Sequence, residues 1–438
     1  MKANDVHKLA PFVPAASPLE QPTDSGRIDR RTFLARGAGV AAATATAWAA
    51  PAAAADAPAA VPPWMQTPGK PMSGYGQPSR HEAKVLRALT PNYGKLDPGT
   101  GTSRTPLQLL EGTITPNGLH FERHHNGVPD IDPAQHKLLI HGLVKKPVAF
   151  SVDALLRYPM VSRTCFIECS GNSGPNTLPD APQAPAGMIH GLVSCSEWTG
   201  VPLALLLNEA GLEPGAKWLL AEGADSAAMG RSIPIEKALD DTLVALYQNG
   251  ERIRPEQGYP LRVVLPGWEG NMNVKWLRRL KATEGPTHTR DETSKYSDLL
   301  PDGKARQFTF AMGVKSVITR PSGGMTMQGA GFYEVSGLAW SGAGRIVRVE
   351  VSSDGGTSWK EANLSGPSLS ACVTRFRLPW EWNGAPAMLQ SRAMDDKGGV
   401  QESRKAWTAQ YSPGNRYHNT MIQTWAVNAD GRINNVYL

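Results

Sequence analysis

Thr164-Cys165-Phe166-Ile167-Glu168-Cys169-Ser170-Gly171-Asn172-Ser173-Gly174-Pro175-Asn176 joins two kinds of local chemistry. The β-prone run Val161 to Ile167 breaks at a cysteine and falls into a loop of Ser, Gly, Asn and Pro. A strand that ends in such turn chemistry presents its last side chain at the mouth of a sheet edge. Cys169 is that side chain. A thiolate there can be a nucleophile, half of a disulfide or a ligand to a soft metal. The rest of the chain bears on the choice.

The chain has 438 residues, beyond the usual size of a single core, so two domains are expected. It is 41% hydrophobic and 19% charged with 12 Trp, 44 Gly and 36 Pro. That balance favours loop-rich, β-containing structure over a helical bundle. The formal charge is +6, and the first 55 residues carry six Lys/Arg against four Asp/Glu, which leaves +4 without them. With no long basic run in that remainder, nucleic-acid binding is not expected.

Residues 1–55 are expected to be a twin-arginine signal peptide. Arg30-Arg31-Thr32-Phe33-Leu34 precedes the Ala-rich run Gly37 to Ala50, and Pro51-Ala52-Ala53-Ala54-Ala55 supplies small residues for cleavage. The run is too short and too weakly apolar to span a bilayer stably, so no membrane span is expected. The twin-arginine route carries folded cargo, which points to a periplasmic protein that receives a cofactor before export. The four cysteines, Cys165, Cys169, Cys195 and Cys372, are too few for a disulfide scaffold, though two bridges are possible in an oxidising compartment. No Cys-x-x-Cys-His occurs, so no covalently attached haem is expected in this chain.

Residues 56–104 read as an extended N-terminal arm with a short helix at His81–Leu89. A first domain spans 105–310. Within it, Lys137–Gly142 is a strand stopped by glycine, and Ser151 can cap a helix that runs to Leu156. Leu203 to Ala210 is a helix ended by Gly211, and Trp218–Glu222 and Leu261–Leu265 have strand length. Alternating strands and short helices predict an α+β domain. From Ala311 the texture changes: Ile346–Ser352 alternates with period two, Ser353-Asp354-Gly355-Gly356 turns, and Ser358-Trp359-Lys360 resumes. Residues 311–412 therefore read as an immunoglobulin-like β-sandwich, and 413–438 as a C-terminal tail.

Four pieces in order carry a family resemblance over about residues 105–410. They are Thr115-Pro116-Asn117-Gly118-Leu119-His120-Phe121-Glu122-Arg123-His124-His125 with Val128-Pro129-Asp130-Ile131-Asp132-Pro133; Cys169-Ser170-Gly171-Asn172; Gly258-Tyr259-Pro260-Leu261-Arg262-Val263-Val264-Leu265-Pro266-Gly267-Trp268; and Val274-Lys275-Trp276-Leu277. Together, ahead of a β-sandwich, they resemble the sulfite oxidase family of molybdenum enzymes. The resemblance implies a molybdenum–molybdopterin cofactor whose metal is held by Cys169. A thiolate suits a metal that also takes the two sulfurs of a pterin dithiolene.

The family's pterin-pocket positions map to Phe121, Glu122, Arg123, His125, Asp225, Gln257, Arg262, Asn273, Val274 and Lys275. A pterin phosphate needs cations and N–H groups, and Arg262 and Lys275 supply fixed positive charge; read without the resemblance, both are surface charges flanking a strand. Arg123 resembles the arginine beside the metal that steadies the substrate oxyanion. Tyr296, in Arg290-Asp291-Glu292-Thr293-Ser294-Lys295-Tyr296, stands for the active-site tyrosine. Cys165 reads as a small core residue. The sandwich is expected to mediate homodimerisation, as its counterpart in the family does.

Two departures bear on substrate. Position 257 is Gln where the family often has His. The Cys169-Ser170-Gly171-Asn172 motif continues Ser173-Gly174-Pro175-Asn176, where sulfite oxidases commonly place arginines that hold the sulfite dianion. One missing charge-assisted contact weakens a dianion by roughly 1.5–3 kcal/mol. The pattern resembles the sulfane dehydrogenase molybdenum subunit of the bacterial Sox thiosulfate-oxidising system, which acts on sulfur carried by a partner protein. The expectation is a molybdenum oxidoreductase that takes carrier-bound sulfane sulfur as substrate and passes electrons to a c-type cytochrome within a heterotetramer. A sulfite dehydrogenase acting on free sulfite is the alternative within that class. A non-catalytic binding module is the alternative outside it.

Overall fold

The computed structural model describes residues 62–68, 70–90 and 99–438; the expected signal peptide lies outside them. Residues Gln77–Leu438 form one compact unit. The helix expected at His81–Leu89 is not found. A helical turn at Arg80–Glu82 gives way to a strand, Ala88–Thr90. That strand opens a three-stranded sheet with Gly101–Arg104 and Glu122–His124, so the later part of the expected arm becomes the platform for Arg123. Backbone pairing along Ala88–Thr90 replaces local helical bonding, a tertiary contact outweighing a local preference.

The first part of the unit holds two five-stranded sheets. One runs Val148–Ser151, Lys137–Gly142, Leu277–Thr283, Trp218–Gly223, Gly230–Pro234, with Lys137–Gly142 parallel to Leu277–Thr283 and every other pair antiparallel. The other runs Glu251–Arg252, Leu243–Gln248, Val193–Pro202, Val161–Glu168, with Arg262–Val264 against Leu243–Gln248. Period-two burial explains the first sheet: Leu138 and Ile140 are buried while Leu139 between them is exposed. Both sheets feed one core, where Leu138, Ile140, Leu219 and Leu280 meet Val244, Leu246 and Val263.

The helix Leu203–Ala210 closes that core with Leu203, Leu206, Leu207 and Ala210, the one-face spacing of an α-helix. Gly211 ends it at φ +68, its N–H donating to the Leu207 carbonyl. Each leucine so buried is worth about 1.5–3 kcal/mol. Ser151 caps Val152–Leu155 by accepting from the Ala154 N–H at 3.1 Å.

The second part is a β-sandwich. One sheet runs Lys315–Arg320, Gly331–Trp340, Thr374–Trp382, Asn363–Ser365; the other runs Lys360–Glu361, Ile346–Ser352, Ala387–Asp395, Thr424–Val427, Ile433–Val436. The last two strands come from the stretch read as a tail. Trp425 explains why: it is fully buried and its indole N–H donates to the Ile318 carbonyl at 3.1 Å. The sandwich core is continuous with the first part. Phe166, Val193 and Cys195 pack in one cluster with Trp340, Cys372 and Phe376. Cys195 and Cys372 are both buried free thiols, with their sulfurs 3.4 Å apart. Among the described residues, no helix is long and apolar enough to cross a membrane.

Candidate active site

The strand Val161–Glu168 alternates its two faces between two environments. Cys165 and Ile167 turn toward Phe121 and Trp198, with Cys169 packed against the same cluster. Phe166 turns the other way, into the sandwich core. After Glu168 the chain turns tightly. The Cys169 N–H donates to Leu192 O at 2.9 Å, and the Asn172 N–H donates to Cys169 O at 2.8 Å. The turn Gly270–Met272 presses on this bend so closely that a Cβ on Gly270 would sit 2.8 Å from the Glu168 carbonyl oxygen. Only glycine fits there.

Cys169 opens into a cavity with about 680 Å³ of space free of protein atoms. Burial pushes its thiol pKa up, opposed by the Gly171 N–H and the Arg123 charge. Cys165, wholly enclosed, is pushed up to about 12, the behaviour of an inert core thiol. Of the residues expected at the site, Phe121, Arg123, His125, Cys169, Asp225, Gln257, Arg262, Asn273, Val274, Lys275 and Tyr296 all line the cavity. Glu122 does not. Its carboxylate pairs with Arg87 and with His124 at 2.7 Å, bracing the sheet that carries Arg123. Those two ion pairs hold the Glu122 carboxylate out of the lining.

The basic wall is assembled by backbone carbonyls. Arg262 donates to Gln257 O and Asn273 O, both at 2.8 Å, and lies over the Trp198 ring at 5.0 Å. Burial draws its pKa down to about 9. Lys275 donates to Arg123 O at 3.2 Å and Glu256 O at 3.0 Å, and meets His124 Nδ1 at 2.9 Å. Burial, then the Arg262 charge, holds its pKa well below that of an ordinary lysine. Gly258 at φ +112 permits this crowding, since a Cβ there would lie 3.1 Å from Lys275 Cβ and 3.2 Å from Arg262 Cβ. Gln257 donates to Phe121 O at 2.8 Å, tying the strand Arg262–Val264 region to the segment before Arg123.

On the opposite wall, His125 Nε2 and Tyr296 Oη are 2.9 Å apart. Burial, then Arg123, lowers the His125 pKa to about 3. Burial, then Cys169, raises that of Tyr296. A neutral imidazole therefore faces a protonated phenol. Tyr296 sits at φ +57 just after the turn Arg290–Thr293, whose Thr289–Glu292 capping box fixes its start.

Four sites in the lining hold buried polar atoms without partners: His120 Nε2, Asp225 Oδ1, Arg262 Nε and Asn271 Oδ1. Buried polar groups are normally satisfied, so these atoms ask for a ligand rich in donors and acceptors. A pyranopterin with its phosphate fits that demand, and Cys169 supplies a soft ligand at one end. Among the described residues no cluster of three or more His, Cys, Asp or Glu could hold a metal. Cys169 is the soft donor among the lining residues that would hold a metal there. His120, His124, Met229, Asn271 and Trp276 also line the cavity and were not among the expected residues. Their signal was position: His120 and His124 flank expected positions, and Asn271 and Trp276 flank the expected run Asn273–Lys275.

The loop after Cys169 offers the cavity no cation. Ser173 is buried at φ +62 and points inward, meeting Lys315 Nζ at 2.7 Å and His190 Nδ1 at 2.6 Å. The lysines and arginines of the lining are Arg123, Arg262 and Lys275, and each donates to a backbone carbonyl, Arg123 to that of His124.

Residues 125–290 match the family described as oxidoreductase molybdopterin binding domain. Residues 306–425 match the Mo-co oxidoreductase dimerisation domain. The chain is 31% identical over 377 residues to mitochondrial sulfite oxidase of Rattus norvegicus, covering 79% of this chain and 66% of the relative. With the Homo sapiens enzyme it is 32% identical over 295 residues, covering 63% and 53%. The chain thus spans between about half and two thirds of these relatives' lengths. The crystal structure of the sulfane dehydrogenase SoxCD from Paracoccus pantotrophus superposes with a TM-score of 0.84 at 45% identity, over 86% of this chain and 98% of that one. With the thiol-ended cavity, the unsatisfied polar lining and the sandwich beside them, these likenesses place the chain in the sulfite oxidase family of molybdenum–molybdopterin oxidoreductases.

Proposed function

We propose that this protein is a periplasmic sulfane dehydrogenase. In this reading it oxidises sulfur carried on a partner protein and passes the electrons to a c-type cytochrome in a heterotetramer built on a homodimer. The observation that carries the substrate reading is the Ser170–Asn176 loop, which turns Ser173 inward and puts no cation beside Cys169. The 45% identity to a sulfane dehydrogenase supports it. When bound, the molybdenum centre supplies the oxygen-atom transfer and the two-electron redox change.

The chain's residues do the rest. Arg123 gives the growing oxyanion a charge-assisted partner. Tyr296 lines the cavity with its phenol oxygen 2.9 Å from His125 Nε2, a hydrogen bond that orients the phenol beside the reacting atoms. Lys275 and Arg262, fixed by carbonyls, hold the pterin end without reorganising. The absence of Cys-x-x-Cys-His from the sequence supports a separate haem protein as electron acceptor.

The test is a comparison of steady-state rates on carrier-bound sulfane and on free sulfite, with a c-type cytochrome as acceptor. Sulfane dehydrogenase predicts a kcat/KM for the carrier substrate at least tenfold above that for sulfite, since one lost dianion contact is worth about 1.5–3 kcal/mol. Equal or faster turnover of free sulfite would make the protein a sulfite dehydrogenase instead.

A further inference from the structure

The face of Val161–Glu168 turned away from the cavity ends in a carboxylate, and the sandwich holds it. Glu168 is 1% exposed. Its oxygens accept from Trp340 Nε1 at 2.7 Å, Asn172 Nδ2 at 2.9 Å and Lys315 Nζ at 3.2 Å. Lys315 and Trp340 both belong to the first sheet of the sandwich. Lys315 is itself 1% exposed, and its ammonium also reaches Ser173 Oγ at 2.7 Å. One sandwich side chain therefore grips the residue before Cys169 and the residue four beyond it. Asn172 cross-braces the span by accepting the Leu192 N–H at 3.1 Å, and Asn419 donates to Ser173 O at 3.0 Å.

A buried ion pair is a poor way to gain stability, because an apolar pair of similar volume is often as good or better. What the pair provides is direction. Glu168 and Ser173 are each fixed to one ammonium, so the bend carrying Cys169 cannot tilt without breaking a charge-assisted bond. We propose that the β-sandwich is part of the active site's scaffold as well as a dimerisation module, with Lys315 and Trp340 as positioning residues that set the pose of the Cys169 loop. This rests on the reading that Cys169 ligates molybdenum.

The test uses the full-length holoenzyme in four forms: wild type, Lys315→Met, Trp340→Phe and, as a control, Leu389→Ala. Leu389 is a fully buried sandwich residue on a strand of the other sheet. The readouts are light scattering for the dimer, molybdenum content, the Mo(V) electron paramagnetic resonance spectrum, and kcat and KM measured separately. Lys315→Met and Trp340→Phe are expected to stay dimeric and loaded, with shifted Mo(V) parameters and kcat lowered on the order of tenfold or more at little changed KM. Leu389→Ala is expected to lose thermal stability and keep the wild-type spectrum. Should Lys315→Met fail to fold, Trp340→Phe decides, since it removes one donor and keeps an aromatic core. A wild-type spectrum and kcat in a loaded variant would overturn the positioning role alone. Wild-type protein without molybdenum would overturn the metal assignment, and the positioning role with it.

Discussion

Tyr296 and His125 meet across the cavity from segments 171 residues apart in sequence. Burial keeps the phenol protonated and the imidazole neutral, so the pair shares an uncharged hydrogen bond that orients the phenol. Replacing Tyr296 with Phe leaves the ring beside that of Tyr417, tilted to it at 5.6 Å, and removes only the O–H. The expected result is a fall in kcat on the order of a hundredfold, typical of a lost hydrogen-bond donor to the reacting group, with smaller change in KM; steady-state kinetics over pH 6–9 measures it. An unchanged kcat would reduce Tyr296 to packing. At this scale the sequence was legible where chemistry dictates residue type. Cys169, Arg123 and Lys275 are cations or a soft donor at motif positions, and all line the cavity. It was illegible where a partner distant in sequence decides, as for Glu122, which Arg87 and His124 hold. Asn271 was missed because its value lies in an unpaired oxygen, which only the fold reveals.

The element that carries the site is the Cys169 bend, and a second charge network braces it from the side. Buried His418 lies between Asp298, at 2.8 Å, and Glu269, at 3.1 Å. The His418 backbone N–H donates to Ser170 O at 2.8 Å, and Glu269 also accepts from Ser170 Oγ at 2.8 Å and from Arg231 at 3.3 Å. Burial alone would lower the His418 pKa; the two carboxylates outweigh it and raise it to about 9. A folded-state value above the unfolded one means the stabilisation is complete below about pH 6.5 and is lost as pH rises through about 9. Chemical denaturation is therefore expected to show stability falling by a few kcal/mol between pH 6.5 and 9.5. His418→Gln is expected to be less stable at pH 6.5 and nearly flat across that window. A variant with the wild-type slope would remove His418 from the network's energetics.

Elements with a clear period or stop signal were legible: Lys137–Gly142, Leu203–Ala210 and Ile346–Ser352 form as their patterns predict. The strand Ala88–Thr90 was not, because its reason for being extended is a partner, Gly101–Arg104, in the same sheet. The strands Thr424–Val427 and Ile433–Val436 were missed likewise, their place set by pairing with Ala387–Asp395 and with each other.

For the whole molecule, two parts that the sequence separates by texture share one core. Phe166 and Cys195 from the pocket-bearing sheet pack with Trp340 and Cys372 from the sandwich. Composition marked the change of texture near Ala311 but could not show that the seam passes directly behind the Cys169 loop. Changing Arg30 and Arg31 together to Lys is expected to leave the protein in the cytoplasm, as cell fractionation would show, and normal periplasmic yield would refute the twin-arginine route.

The most direct measurement is molybdenum-edge X-ray absorption on wild-type protein and on Cys169→Ser. A wild-type metal with one more sulfur neighbour than the variant's, accompanied by loss of sulfur oxidation in the variant, is the predicted result. The same sulfur count in both proteins would contradict Cys169 as the protein's ligand to the metal.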